Sequence, residues 1–184
     1  MDFNFNFNFG EMTSYERKKL HSYVKLYNPN VILECGSGEG GSTYIFSDAI
    51  GENGKIYSCD PYRSPKFNSN KLIFRQIQSS SLIEYIKSEE IYPDFLFFDG
   101  PEDSEVALND FKELENYVKV NTIFSMHDWC LTKRKFDNGH SIKSLKIKPY
   151  INSLSNWELI EELSGDNYNE GNESVGLCIY KKIA

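Results

Sequence analysis

Short apolar runs and amphipathic segments alternate along the chain, separated by turn residues such as glycine, proline and asparagine. The apolar runs predict seven β-strands, at residues 31–33, 55–60, 72–77, 94–99, 121–129, 157–163 and 175–180. Helical patterns lie between them, at residues 13–27, 42–50, 82–86, 105–114 and 142–154. The run at 94–99 is apolar up to its final acid, which is typical of a strand buried on both faces of a parallel sheet. This order predicts an α/β fold with a mostly parallel sheet, helices on both faces and a hairpin made by the last two strands.

The first residues have a pattern of their own. From Asp2 to Phe9, asparagine and phenylalanine alternate, which in an extended segment places all the phenylalanines on one side. We predict that residues 1–12 form an N-terminal arm that is ordered by packing. A contact between the two subunits of a homodimer is the alternative use of this apolar face. Thr13-x-x-Glu16 matches a capping box, so residues 13–184 are expected to begin with a helix and to form a single domain.

Composition limits the classes of function. The 184 residues, 40% of them hydrophobic, suffice for one domain with a sizeable core. The formal net charge of −7 argues against a nucleic-acid partner. No apolar run reaches the length of a membrane span and no signal peptide is evident, so a membrane partner is not expected. The four cysteines lack the spacing of disulfide pairs or metal sites, which favours a reducing, cytoplasmic location.

A glycine-rich turn follows the first predicted strand, with the sequence Glu34-Cys-Gly36-Ser37-Gly38-Glu-Gly40-Gly41-Ser42. A strand, a glycine turn and a helix in this order form a nucleotide-type site, because the amides at the start of the helix are free to bind a ligand. The glycine spacing also satisfies the dinucleotide fingerprint. An acid two residues before the first glycine would repel a pyrophosphate, so Glu34 favours a ligand that carries positive charge.

Asp60 ends the second predicted strand, about where both classes of nucleotide site place an acid on ribose hydroxyls. A carboxylate that accepts two hydroxyl hydrogen bonds is strongly oriented by them. Pro61 and Tyr62 follow, and Tyr62 is in a position to lie against an adenine ring. The alternative role of Asp60 is to cap a turn.

Further polar residues end the fourth and fifth strands, namely Asp99-Gly100 and His127-Asp128. The carboxyl ends of neighbouring parallel strands face the crevice where open α/β sheets bind ligands, so these side chains are expected to meet. Paired carboxylates suit Mg²⁺, whereas His127 suits a softer metal or a general base. Capping of neighbouring loops and helices is the alternative for the two aspartates.

The Glu34-x-Gly-x-Gly motif resembles the first motif of the class I S-adenosylmethionine-dependent methyltransferases, whose cofactor carries a sulfonium and an ammonium. The segment from Asp99 to Asp110 resembles the catechol-O-methyltransferase-like small-molecule O-methyltransferases, in which Asp-Gly-Asp-His-Ser-Tyr-Glu precedes a helix with a further Asp. Here Glu102 and Ser104 replace the usual His and Tyr. Trp129 stands where an Asn often follows in the catechol type.

This resemblance implies a Rossmann-like fold, S-adenosylmethionine as cofactor and a hydroxyl of a small molecule as methyl acceptor. It implies cofactor contacts from the glycine turn and from the turns after the second, third and fourth strands. The residues concerned are Glu34, Gly36, Ser37, Gly38, Gly40, Gly41, Ser42, Asp60, Pro61, Tyr62, Ser79, Ser80, Asp99 and Gly100. It also implies catalytic roles for Asp99, His127 and Asp128, and, in the metal-using branch of the family, Mg²⁺ or another divalent metal on Asp99 and Asp128.

Two other functions remain open from the sequence. An NAD(P)-dependent oxidoreductase would share the glycine pattern and Asp60, but it leaves Glu34 and the final hairpin unexplained. A non-catalytic S-adenosylmethionine-binding module would keep Glu34 and Asp60 beside an inert sheet edge, and the replacements at Glu102 and Ser104 keep this function open.

Overall fold

The computed structural model describes residues 3–10, 12–100, 103–129, 143–163 and 176–184. Its strands are β1 (Val31–Cys35), β2 (Lys55–Cys59), β3 (Leu72–Arg75), β4 (Phe95–Phe98), β5 (Ile123–His127), β6 (Trp157–Leu163) and β7 (Leu177–Lys182). Its helices are α1 (Ser14–Tyr27), α2 (Gly41–Ala49), α3 (Ser79–Ser88), α4 (Ser104–Glu115) and α5 (Ser144–Ser153). Within these ranges, no helix combines the length and the apolar character needed to cross a membrane.

The strands form one sheet in the order β3-β2-β1-β4-β5-β7-β6. Neighbouring strands from β3 to β5 run parallel, and β7 runs antiparallel to both β5 and β6. The predicted fold class, a Rossmann-like mostly parallel sheet with a C-terminal antiparallel hairpin, is therefore confirmed. The chain order reverses between β1 and β4, which is the place where open α/β sheets bind ligands.

The sheet is buried on both faces, and β4 shows why its sequence is a continuous apolar run. Phe95 and Phe97 belong to one hydrophobic cluster, whereas Leu96 and Phe98 belong to the other. Because alternate side chains of a strand point to opposite faces, both faces need apolar residues here.

Several strands end earlier than the apolar runs suggest. β2 ends at Cys59 and β4 at Phe98, so Asp60 and Asp99 lie just beyond the pairing residues. β3 ends at Arg75, where the amide of Ile77 bonds back to the Arg75 carbonyl in a tight turn. The polar side chains at the strand ends therefore stand on turns, where they are free to face a ligand.

The predicted capping box at the start of α1 is present. The Thr13 side chain accepts a hydrogen bond from the Glu16 amide, and the Glu16 carboxylate accepts one from the Thr13 amide at 2.9 Å. Glu16 is fully buried and also accepts from the amide of Gly176 at 3.2 Å. This one side chain thus links the start of α1 to the chain just before β7.

Residues 3–10 lie outside the sheet and run along α1 and α2. The phenylalanine side chains are half-buried and the asparagines between them are exposed, as the alternation predicts. Phe3 stacks on His21 of α1 with 5.2 Å between ring centroids, and Phe7 lies edge-on to Tyr44 of α2 at 5.3 Å. The face that could serve a dimer is thus in contact with the chain's own helices, and a homodimer stays a prediction.

Arg17 of α1 holds this arm by its backbone. Its guanidinium donates to the carbonyls of Phe5, Phe7, Phe9 and Gly10 at 2.7–3.3 Å. The same group lies over the Phe7 ring at 3.9 Å from the centroid, and only 7% of the residue is exposed. A charged fork that bonds successive carbonyls fixes the path of an extended segment without sheet pairing.

We expect Arg17→Met to release the arm while the rest of the domain stays folded. Methionine keeps much of the apolar stem but donates no hydrogen bond, so the arm carbonyls turn to water and the phenylalanines become accessible. Limited chymotrypsin digestion should then cleave between Phe3 and Phe9 much faster than in the unmodified protein. Arg75→Met is the matched control, because Arg75 is exposed and lies over the Tyr85 ring away from the arm. Equal cleavage rates in both variants would show that Arg17 does not hold the arm.

Candidate active site

A cleft of about 780 Å³ opens at the carboxyl ends of β1, β2 and β4, next to the reversal point of the sheet. Its lining combines the glycine turn, the turn after β2, the C-terminal end of β4, the N-terminal end of α3 and the N-terminal arm. Of the predicted residues, those that line it are Gly36, Ser37, Gly38, Gly41, Ser42, Asp60, Pro61, Tyr62, Ser79, Asp99 and Gly100. A smaller hollow of about 370 Å³, at residues 64–74, contains none of them.

Gly36 is the point where the ends of β1, β2 and β4 meet. Its amide bonds to the Cys59 carbonyl at 2.9 Å, and the amides of Asp99 and Gly100 both bond to the Cys35 carbonyl at 2.9 Å. Gly36 has φ +92°, and a Cβ there would lie 2.3 Å from the Gly100 nitrogen. Only glycine fits this crossing, which places Asp99 beside the glycine turn.

The start of α2 is open toward the cleft. Its N-cap residue is Gly40, with φ +96°, and no side chain caps the first turn. The helix N-terminus therefore presents backbone amides and the positive end of its dipole, where a ligand carboxylate is favoured. Gly41 and Ser42 of this first turn line the cleft, whereas Gly40 does not.

Glu34 does not reach the cleft. It is fully buried, and its carboxylate accepts hydrogen bonds from Ser42, Thr43 and Ser58 at 2.5–2.6 Å. Burial raises the pKa of Glu34 to about 7, although the three hydroxyl donors oppose that rise. We therefore revise its role from direct contact with a ligand ammonium to holding the start of α2 against β1 and β2.

Asp60 organises two turns and also faces the cleft. One carboxylate oxygen accepts from the Gly38 amide at 3.0 Å, and the other accepts from the amides of Tyr62 and Arg63 at 2.9 and 2.8 Å. The turn-capping role that the sequence left open is thus present. A carboxylate has about four acceptor positions, so these bonds leave room for a ligand hydroxyl.

The residues after β3 divide into two groups. Ser79 lines the cleft and its hydroxyl donates to the carboxylate of Asp110, whereas Ser80 is exposed and outside the lining. Gln78, which the sequence did not single out, lines the cleft instead. Tyr62 stands at the cleft with 84% of its surface exposed, so its ring is free to cover a ligand.

Asp99, His127, Asp128 and Lys143 form a compact cluster at the ends of β4 and β5, here called the acid–lysine cluster. His127 Nδ1 lies 3.2 Å from Asp99 Oδ1 and 3.7 Å from Asp128 Oδ1. Lys143 Nζ lies 3.1 Å from Asp99 Oδ1 and 2.6 Å from Asp128 Oδ2. The two aspartates thus meet as predicted, but Asp99 and Lys143 line the cleft whereas His127 and Asp128 lie behind them.

The backbone at this cluster is constrained. Asp128 has φ +59°, a left-handed conformation that aspartate adopts more readily than most residues. Such conformations persist where the surrounding structure holds them, and they concentrate at functional sites. Here the turn aims the Asp128 carboxylate back at Lys143.

His127 is held among acids on both ring nitrogens. Its Nδ1 faces Asp99 and Asp128, and its Nε2 lies 3.6 Å from the buried carboxylate of Glu16. Burial lowers the pKa of His127, but the charge and hydrogen bond of Asp99, with Glu16 and Asp128, outweigh it and raise the pKa well above its usual value. A protonated imidazole is a poor proton acceptor, so the direction of this pKa shift does not favour the general-base role, which stays a prediction.

The ionic state of Asp99 follows from the same contacts. Burial raises the pKa of Asp99, but the charges of Lys143 and His127 outweigh it and hold the pKa well below its usual value. The cluster is thus a set of interlocked opposite charges.

The predicted metal position can be tested against this geometry. Ligand atoms of Asp99, His127 and Asp128 lie within 4.8 Å of one another, a spacing that suits a metal ion. However, the Lys143 ammonium already lies against both carboxylates. As the side chains stand, the residues do not fit a divalent cation, because it would share carboxylate oxygens with a buried positive charge.

Trp129 does not act as a further ligand. It is fully buried, and its indole nitrogen donates to Glu162 at 3.0 Å. Asp103, another residue after β4, is the N-cap of α4 and accepts from the Glu105 amide at 2.7 Å, while it also lines the cleft.

Lys143 and Arg17 are cleft residues that the sequence did not reveal. Lys143 precedes α5 in a lysine-rich segment, where nothing in the local pattern separates it from Lys146 or Lys148. Arg17 is hidden in the same way among the basic residues of α1. Only their burial and their partners in space identify them.

Comparison with known proteins relates this chain to a protein family. A family model described as a methyltransferase domain matches residues 33–129, more than half of the chain, from β1 through the end of β5. Lys143 lies outside the matched segment. A comparison with curated protein sequences finds no significant match.

Three solved structures illustrate the similarity of fold. The O-methyltransferase TomG from Streptomyces achromogenes, solved with S-adenosylmethionine, has a TM-score of 0.74 at 11% identity, covering 94% of this chain and 82% of that one. The O-methyltransferase from Bacillus cereus, in complex with S-adenosylhomocysteine, has a TM-score of 0.71 at 14% identity, with coverage of 96% and 84%. A candidate rRNA methylase from Clostridium thermocellum has a TM-score of 0.66 at 12% identity, with coverage of 90% and 96%.

Proposed function

Because the chain belongs to the methyltransferase-domain family that matches its residues 33–129, we propose that it transfers a methyl group from S-adenosylmethionine to a hydroxyl of a small molecule. The observation that carries the proposal is a single cleft that joins the glycine turn and Asp60 to the acid–lysine cluster. The first part suits a cofactor and the second a polar acceptor. TomG and the Bacillus cereus enzyme, both O-methyltransferases of similar fold, support the cofactor and the acceptor group.

The cofactor is proposed to lie along the carboxyl ends of β1, β2 and β3. Its methionine part meets the glycine turn, where the amino-acid carboxylate faces the open N-terminus of α2. Its ribose meets Asp60, and its adenine lies among Tyr62, Gln78 and Ser79. In this arrangement Asp99, which lines the same cleft, would lie near the methyl group that the cofactor supplies.

The reaction is an in-line displacement at the sulfonium methyl. The acceptor oxygen forms the new C–O bond, the C–S bond breaks with its electron pair returning to sulfur, and the hydroxyl proton leaves to water in the open cleft. Alignment supplies most of the rate, since effective molarities reach about 10⁵–10⁸ M for well-oriented pairs. The protein's task is to hold the two reactants in line.

The acceptor is proposed to be a small molecule rather than a nucleic acid. The net charge of −7 opposes binding of a polyanion, and the free buried cysteines Cys35, Cys59 and Cys178 suit a reducing, cytoplasmic location. The similarity to a candidate rRNA methylase makes RNA the comparison that an acceptor screen must include.

Calorimetric titration with S-adenosylhomocysteine, and separately with NAD, tests the cofactor. Binding of S-adenosylhomocysteine alone supports the proposal, and transfer of a labelled methyl group to a small hydroxyl compound then completes it. NAD binding in its place would indicate an oxidoreductase. Binding of S-adenosylhomocysteine without transfer to any acceptor, RNA included, would indicate a non-catalytic module.

Asp60→Asn should weaken S-adenosylhomocysteine about 10–100-fold, because ribose hydroxyls lose a charged acceptor while the side chain keeps its size. Calorimetry measures the change in Kd directly. Asp48→Asn is the matched control, because Asp48 is exposed on α2 and pairs with His21 outside the cleft. An unchanged Kd in Asp60→Asn would exclude Asp60 from the ribose site.

A further inference from the structure

Lys143 is buried at the centre of the acid–lysine cluster. Only 3% of its side chain is exposed, although a free lysine ammonium is strongly hydrated. Nζ donates to the Asp99 carbonyl at 2.6 Å and to Asp99 Oδ1 at 3.1 Å, and it lies 2.6 Å from Asp128 Oδ2. These oxygens all lie within hydrogen-bond reach of the ammonium, so this is a built position for a cation.

The cluster needs a positive charge at this point. Asp99 and Asp128 come from the ends of neighbouring strands, and two carboxylates this close repel each other in a buried site. His127 lies between them on one side, with Glu16 behind it, and Lys143 closes the other side. The residue just before α5 thus supplies the cation that an acidic pair otherwise takes from solution.

A divalent cation and the Lys143 ammonium would compete for the same oxygens. A Mg²⁺ ion binds carboxylate oxygens at about 2.0–2.1 Å in an octahedral shell. Two of these oxygens, Asp99 Oδ1 and Asp128 Oδ2, already contact the Lys143 ammonium. The Asn that often follows this aspartate in the catechol type is here Trp129, which is in the core.

We propose that the Lys143 ammonium occupies the cation position of this site, so that methyl transfer proceeds without a divalent metal. This inference rests on the proposed function and narrows it. Lys143 lines the cleft beside Asp99, so its positive charge lies next to the position proposed for the acceptor.

Direct Mn²⁺ binding tests the assignment without relying on turnover. The chelator-treated protein is titrated with Mn²⁺, and the free ion is followed by electron paramagnetic resonance. The unmodified chain should show no saturable site. Lys143→Met keeps the length of the side chain without its charge, and it should gain one Mn²⁺ per chain that a second change, Asp128→Asn, removes again. Lys146→Met is the matched control, because Lys146 is a partly exposed lysine of α5 that pairs with Glu105, and this variant should gain no Mn²⁺ site.

Two results would overturn the assignment. One is a saturable Mn²⁺ site in the unmodified chain that Asp128→Asn abolishes, a measurement that decides the matter even where Lys143→Met does not fold. The other is a folded Lys143→Met that takes up no Mn²⁺. A failure of the proposed function gives a different result. If the unmodified chain binds neither S-adenosylhomocysteine nor Mn²⁺, the proposed cofactor is wrong, but the assignment of Lys143 to the cation position still holds.

Discussion

Gly36→Ala is expected to cost about 3–5 kcal/mol of unfolding free energy and to disrupt the cleft. A methyl group at this position would lie 2.3 Å from the Gly100 nitrogen and 2.8 Å from the Asp99 carbonyl carbon, both of them backbone atoms. The positive φ adds strain that alanine does not relieve. The strand ends must therefore separate, and Asp99 leaves the glycine turn.

Gly38→Ala is the control for this prediction. It lies two residues further along the same turn with φ +52°, but no atom lies within 4 Å of the Cβ it would gain. Only the backbone strain remains, about 1–2 kcal/mol. Urea unfolding followed by fluorescence of the buried Trp129 and Trp157 compares the two variants. Equal losses of unfolding free energy in the two variants would show that the close contact with Gly100 is not the reason why residue 36 must be glycine.

The positions of the acids at the strand ends could be predicted from the sequence, because the local hydrophobic pattern shows where a strand ends. The apolar run before Asp99 places this residue at the edge of a buried parallel strand, and the same holds for Asp60 and Asp128. Since parallel strands share an edge, their terminal acids had to lie near one another. The glycine turn likewise identifies itself by residue type.

The partners of each charge were not predictable in the same way. The position of Glu34 in the motif predicts that it faces a cationic ligand, yet three hydroxyls from α2 and β2 donate hydrogen bonds to its carboxylate. Its pairing depends on side chains eight to twenty-four residues away, whose directions no local pattern specifies. Lys143 is the extreme case, because its two aspartate partners lie on other elements.

These two findings change what the site is expected to do. Glu34 is buried in the wall and does not line the cleft, whereas Asp99 and the backbone of the glycine turn do. With Lys143 in the cluster, the acidic pair is neutralised from within. The part of the cleft lined by Asp99 and Lys143 is therefore nearly balanced in charge.

The stability of the protein should depend on pH through Glu34. Because the folded pKa of Glu34 is about 7 and its usual value is 4.5, the folded chain holds a proton that the unfolded chain has lost between these values. The resulting stabilisation is complete below pH 4.5 and is lost as the pH rises through 7. Its size is about 3 kcal/mol, at 1.36 kcal/mol for each pKa unit.

Glu34→Gln should remove this component. The amide carries no titrating proton, its oxygen still accepts from the surrounding hydroxyls, and its NH₂ group finds hydroxyl oxygens nearby. We expect the unfolding free energy of Glu34→Gln minus that of the unmodified protein to increase as the pH rises from 5 and to level off above pH 7. Taking this difference cancels the contribution of Asp110, whose pKa burial raises to about 6 in both proteins. Urea unfolding at closely spaced pH values measures it.

Glu39→Gln provides the matched control, because Glu39 lies on the glycine turn that follows β1, is partly exposed and pairs with Lys66. The difference in unfolding free energy between Glu39→Gln and the unmodified protein should not change with pH, since an ion pair at the surface contributes little to stability. A level curve for Glu34→Gln as well would mean that the buried carboxylate stays ionised down to pH 5. The three hydroxyl donors would then outweigh burial, and the start of α2 would be held by a charged acceptor rather than by a neutral acid.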